Sequence, residues 1–81
     1  MTLYLFTRKF MPLEVIVNGL SGATPFNIWI CDNPETTCIY VDTVTGATLT
    51  FDVPQALIYQ NDWIIKSIDN NNCVSTTILT L

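Results

Sequence analysis

The stretch Phe26-Asn27-Ile28-Trp29-Ile30-Cys31-Asp32-Asn33-Pro34-Glu35-Thr36-Thr37-Cys38-Ile39-Tyr40-Val41-Asp42-Thr43 decides the fold. Apolar residues recur with a period of two on both sides of Asp32-Asn33-Pro34-Glu35-Thr36, a segment of turn formers with a proline suited to the second position of a type I turn. Period two is the period of a strand, and two such runs around a short turn predict a hairpin of strands 26–31 and 37–43. Phe26, Ile28 and Ile30 are even-numbered, whereas Ile39 and Val41 are odd. A common buried face therefore requires facing residues whose numbers sum to an odd value. Pairing Cys31 with Cys38 satisfies this, sets Ile30 against Ile39 and Ile28 against Val41 inside, and brings Trp29 against Tyr40 on the other face. Aromatics and cysteines are not ordinary solvent-facing surface. Either a loop or the amino-terminal strand covers them, or they form a subunit contact.

The same alternation extends outward. Strands are expected at 3–10 and 13–18, separated by Met11-Pro12, where proline permits a kink or an edge but no central ladder bond. A loop follows at 19–25. In 47–53, Ala47, Leu49, Phe51 and Val53 lie on one side and Thr48, Thr50 and Asp52 on the other. A three-residue Val44-Thr45-Gly46 loop, with glycine left-handed, would pair Val41 with Leu49 and Ile39 with Phe51. The alternative is a crossing to a second sheet. A short apolar piece at 57–59 precedes a strand at 63–68, the turn Asp69-Asn70-Asn71-Asn72, and a Thr-rich last strand at 73–81. About seven short strands without a helical apolar period predict a single all-β domain, residues 1–81: a small immunoglobulin-like β-sandwich. Its expected core is Ile28, Ile30, Ile39, Val41, Leu49, Phe51, Ile65 and Ile68. The last two differ in parity and share a face only if the strand bulges between them.

Size and charge point toward association. A domain near 81 residues buries only about 60% of its unfolded surface. Charged residues make up 12% of the chain while 49% is hydrophobic, so charge alone cannot solvate the exterior. A sparingly charged monomer covered by Thr and Asn is one reading; an assembly subunit that hides part of its exterior is the other. Seven carboxylates against Arg8, Lys9 and Lys66 give a net charge of −4, which removes the usual footprint of direct nucleic-acid binding. Arg8-Lys9 reads as a solvated strand tip. The apolar runs are too short for a membrane helix, and the amino terminus lacks signal-peptide features, so synthesis in a cytoplasm without export is expected.

No catalytic or cofactor site is expected. Without histidine, threonine and serine have no base to activate them, and Cys31, Cys38 and Cys73 contain no C-x-x-C pair for zinc. Cys31 and Cys38 could bridge across the hairpin, but a reducing compartment argues for thiols, which are the expectation. Asp32, Asp42, Asp52 and Asp62 recur every ten residues, the repeat of strand plus turn. Gathered at one end they would suit calcium, or as a flanking pair a glycosidase; Asp in turns for backbone reasons is the simpler reading.

Pro25-Phe26-Asn27-Ile28-Trp29-Ile30-Cys31-Asp32, with Cys38 and the later Ile64-Ile65-Lys66-Ser67-Ile68-Asp69-Asn70-Asn71-Asn72-Cys73, resembles a pattern in small open reading frames of tailed phages. The ending is also similar to the last two strands of SprB-type immunoglobulin-like adhesin repeats of Bacteroidetes, with Asn72 where their turn has glycine. Adhesin repeats sit in long secreted chains, so the absence of a signal favours the phage setting. The resemblance implies a virion protein that decorates a capsid or joins a neck or tail, binding other virion proteins in symmetric, multi-copy assembly. Trp29, Tyr40, Cys31, Cys38 and Trp63 are the candidate interface residues. The alternative is a module that binds carbohydrate, a host-surface glycan, through Trp29, Tyr40 or Trp63.

Overall fold

The computed structural model describes residues 2–7 and 13–80. Arg8-Lys9 and Met11-Pro12 lie outside the described residues. Seven strands form in chain order: β1 (Thr2–Thr7), β2 (Leu13–Asn18), β3 (Phe26–Asp32), β4 (Cys38–Val44), β5 (Leu49–Asp52), β6 (Asp62–Ile68) and β7 (Val74–Thr80). They make an all-β sandwich of two antiparallel sheets, ordered β1-β2-β5 and β4-β3-β6-β7. The short apolar piece expected at 57–59 begins at the end of a 3-10 turn, Gln55–Leu57.

The core is what the two inner faces share. Val15 and Val17 of β2 face Phe26, Ile28 and Ile30 of β3 and Trp63, Ile65 and Leu79 of β6 and β7, all buried. Leu20, Val53, Leu57 and Ile58 close the ends. Each fully buried aliphatic side chain contributes about 1.5–3 kcal/mol. Leu49 and Phe51, and Ile39 and Val41 of the edge strand β4, pack against this core half-buried, so their truncation costs less than that of Ile28 or Ile30.

Three details depart from the sequence reading. Cys31–Cys38, Ile30–Ile39 and Trp29–Tyr40 pair as expected, but Ile28 faces Asp42 because a bulge between Ile28 and Trp29 skips Val41. A bulge suits an edge strand: the extra residue keeps Val41 and Val44 both against the core. The Val44-Thr45-Gly46 hairpin does not form. β5 crosses to the other sheet, where Leu49 and Phe51 face Val17 and Val15 and exchange a half-exposed partner for a buried one. Finally, β6 runs without a bulge from Asp62 to Ile68. Ile65 points inward, and Ile68 is half-buried on the outer face, so Ile68 is not a core residue.

Candidate functional site

Every second residue of the four-stranded sheet must point away from the core, and the registers show what gathers there. One row across the sheet reads Cys38, Cys31, Ile64, Ile78; the next Tyr40, Trp29, Lys66, Thr76; the third Thr43, Asn27, Ile68, Val74. Lys66 carries the one charge in these rows, and its methylene stem can lie along apolar neighbours. Tyr40, Val74 and Ile78 are 48%, 56% and 61% exposed. This is a contiguous apolar and aromatic sheet face, of the kind that marks interaction surfaces.

The aromatic pair at its centre is held in place. Trp29 and Tyr40 meet edge to face, with ring centroids 5.4 Å apart and an interplanar angle of 71°, an arrangement favoured by the ring quadrupoles. The Thr43 hydroxyl donates to Asn27 Oδ1 at 2.7 Å, so the hydrogen bond between Tyr40 and Thr43 is donated by the Tyr40 phenol. This chain of three side chains fixes the more exposed ring of the pair.

The expected thiols of Cys31 and Cys38 are instead a disulfide. Register decides this: the two residues are direct partners on β3 and β4, with Cα atoms 4.0 Å apart. Cys31 is buried beneath the bridge, Cys38 is exposed, and Cys73 is an exposed free thiol. Trp63 is not on this face. It is fully buried between the sheets, where its indole Nε1–H donates to the Leu57 carbonyl at 2.7 Å. Odd parity on β6 points it inward, so it is a core residue and not an interface one. Of the five candidates, Trp29, Tyr40 and Cys38 present themselves at the surface.

Both hairpins of this sheet are closed by an aspartate. Asp32 accepts from the Thr37 N–H and the Thr36 hydroxyl, and these bonds, Thr37 first, hold its carboxyl below the ordinary value of 3.8. The turn bond from Glu35 N–H to the Asp32 carbonyl places Pro34 third in the turn, not second, and leaves Glu35 at φ +72°. At the β6–β7 turn, Asp69 Oδ1 accepts from Cys73 N–H and Asn71 N–H, both at 2.9 Å, while Oδ2 faces Ala23 N–H at 3.4 Å. The Cys73 N–H is the main cause of a pKa below 3.8, with burial opposing it. Asn70 N–H donates to the Ala23 carbonyl, tying the turn to the 19–25 loop. Asn72 adopts φ +63°, the left-handed conformation in which glycine is the usual residue and asparagine is tolerated.

The ten-residue series of aspartates is not gathered. Asp32 closes its turn, Asp62 accepts from Asn33 Nδ2 at 2.9 Å, Asp42 accepts from Thr43 N–H, and Asp52 lies on β5 in the other sheet. Among the described residues no group of three or more His, Cys, Asp or Glu is placed to hold a metal ion. Sequence reasoning missed Ile64, Ile68, Val74 and Ile78 as members of the outer face. The alternation of 63–68 was the available signal, since Trp63 and Ile65 inside force Ile64 and Ile68 outside.

Compared with known proteins, the chain matches no family model, no curated protein and no solved structure.

Proposed function

We propose that this chain is a non-enzymatic structural or accessory subunit of a phage virion, an immunoglobulin-like domain that binds other virion proteins in many symmetric copies. The observation that carries the assembly part is the outer face of β4-β3-β6-β7, where Trp29, Tyr40, Ile64, Ile68, Val74 and Ile78 share a surface with two charges, Lys66 and, at one end of β6, Asp62. A central aromatic anchor surrounded by aliphatic contacts is the composition of an interface hot spot. The virion setting is supported by the resemblance of residues 25–32 and 64–73 to phage open reading frames. The glycan-binding alternative is less well supported. Sugar rings stack on flat aromatic faces, and Trp29 and Tyr40 stand at 71° to one another.

Two measurements test this reading together: mass spectrometry of purified phage particles, and a glycan-array screen of the isolated protein. Presence in particles with no glycan signal is the expected result. Absence from particles, together with a glycan signal lost on Trp29→Ala, would replace assembly by surface recognition.

A further inference from the structure

Strand β7 is the last strand of its sheet; β1 of the facing sheet passes beside it without pairing. Among the described residues, nothing pairs with the side of β7 away from β6. An unpaired strand edge is a template for another strand, and proteins usually guard it with charge, proline, a bulge or brevity. The edge strand β4 has a bulge and Asp42, and β5 is four residues long with Asp52. β7 has none of these: it is seven residues, Val-Ser-Thr-Thr-Ile-Leu-Thr, in unbroken register with β6.

The backbone groups on that edge follow from the alternation of an antiparallel ladder. Asp69 N–H donates to the Cys73 carbonyl and closes the hairpin. Counting on from that bonded pair, Ser75, Thr77 and Leu79 bond to β6, and Val74, Thr76, Ile78 and Thr80 direct their N–H and C=O groups outward.

We propose that β7 pairs antiparallel with β7 of a second copy of this chain across a two-fold axis. Two features of the strand select a second copy as the occupant. The strand is uncharged, so two copies meet without like-charge repulsion, and it offers no charge pattern by which a different strand would be chosen. The contact is also isologous, so each copy closes the other's β7 edge and none is left open. The full-length register places Thr77 opposite Thr77 on the axis and joins even-numbered residues to even-numbered ones. The outer faces of both copies then lie on the same side of one sheet, made of two four-stranded halves, with Ile78 of each copy beside Thr76 of the other. The inference goes beyond the virion reading and does not depend on it.

The test uses the purified chain alone, so its failure is distinguishable from failure of the virion reading. Sedimentation from about 10 μM to about 1 mM should show a monomer–dimer equilibrium. In the dimer, amide exchange at Thr76, Ile78 and Thr80 should slow at least tenfold relative to dilute protein, while Ser75, Thr77 and Leu79 are slow at every concentration. Thr76→Lys, which adds a charge on the edge, and Thr76→Pro, which removes an N–H that β6 does not use, should both remain monomeric. Slow exchange at Ser75, Thr77 and Leu79 shows that the variants are folded. A wild type that stays monomeric throughout, a dimer that leaves the even-numbered amides unprotected, or a folded Thr76→Lys that dimerises like wild type would each overturn the proposal.

Discussion

Replacing Trp63 by phenylalanine probes the side chain on which the packing of the core most depends. Trp63 is fully buried and its indole N–H is bonded to the Leu57 carbonyl at 2.7 Å. Phenylalanine removes the fused pyrrole ring, leaving a space that neighbouring Ile and Val side chains fill incompletely, at a cost of about 2 kcal/mol. It also removes the donor. The Leu57 carbonyl keeps a longer bond from Gln60 N–H at 3.3 Å, so the lost bond counts about 1 kcal/mol and not the roughly 3 of an orphaned acceptor. The sum is about 3 kcal/mol, against a total of roughly 4–12 kcal/mol expected for a chain of this length at 0.05–0.15 kcal/mol per residue. Urea denaturation measures it, with Trp29 as the remaining fluorophore, since the chain has two tryptophans. The midpoint should fall with an unchanged slope. A loss below about 1 kcal/mol would show that neither the indole volume nor its bond to Leu57 contributes as described.

Other perturbations have defined signs. Glu35 sits exposed at φ +72°, so Glu35→Gly should raise stability by up to about 1 kcal/mol in the same urea assay. Gly22→Ala should do the opposite and lower the melting temperature, because its φ is +130° and a Cβ there would lie 2.6 Å from Asp69 Oδ2. Reducing the disulfide, which closes a separation of seven residues, should cost about 2–3 kcal/mol through the freed loop entropy of the unfolded chain, seen as a lower midpoint with reductant. Asp32 and Asp69 both have folded pKa values below 3.8. Unfolding therefore takes up protons between the folded and unfolded values, and their contribution is complete above about pH 5 and lost as pH falls through the folded values. Asp69→Asn should flatten the acid limb of stability against pH; an unchanged limb would show that the Cys73 and Asn71 bonds are not what lowers the Asp69 pKa.

The fold was legible where alternation is strict and turns are punctuated. Cys31, Ile30 and Trp29 have the partners that parity demanded, and Asp69-Asn70-Asn71-Asn72 forms the turn its composition indicated. What was not legible is what tertiary packing decides. The Val41 bulge leaves no local mark in the sequence, because both registers keep apolar residues inward. The path of β5 depended on whether Leu49 and Phe51 bury more against Val15 and Val17 than against an edge strand, a comparison between distant segments. The disulfide turned on whether the two thiols were direct partners, which the correct register implied but an assumption about compartment overrode. The outer face was half legible: Trp29 and Tyr40 stood out by residue type, while Ile64, Ile68, Val74 and Ile78 resembled core residues until β6 and β7 were placed.

Co-assembly of wild type and Trp29→Ala into the same phage particles, quantified by mass spectrometry beside the urea midpoints of both proteins, separates a role of the outer face in assembly from a role in folding. A hot-spot contribution of at least about 2 kcal/mol corresponds to a roughly 30-fold preference for wild type. Losing a half-buried ring should leave both proteins predominantly folded. The variant should be folded in solution but depleted from particles. Its incorporation in proportion to its folded fraction, or the absence of both proteins from particles, would contradict a role of the outer face in assembly.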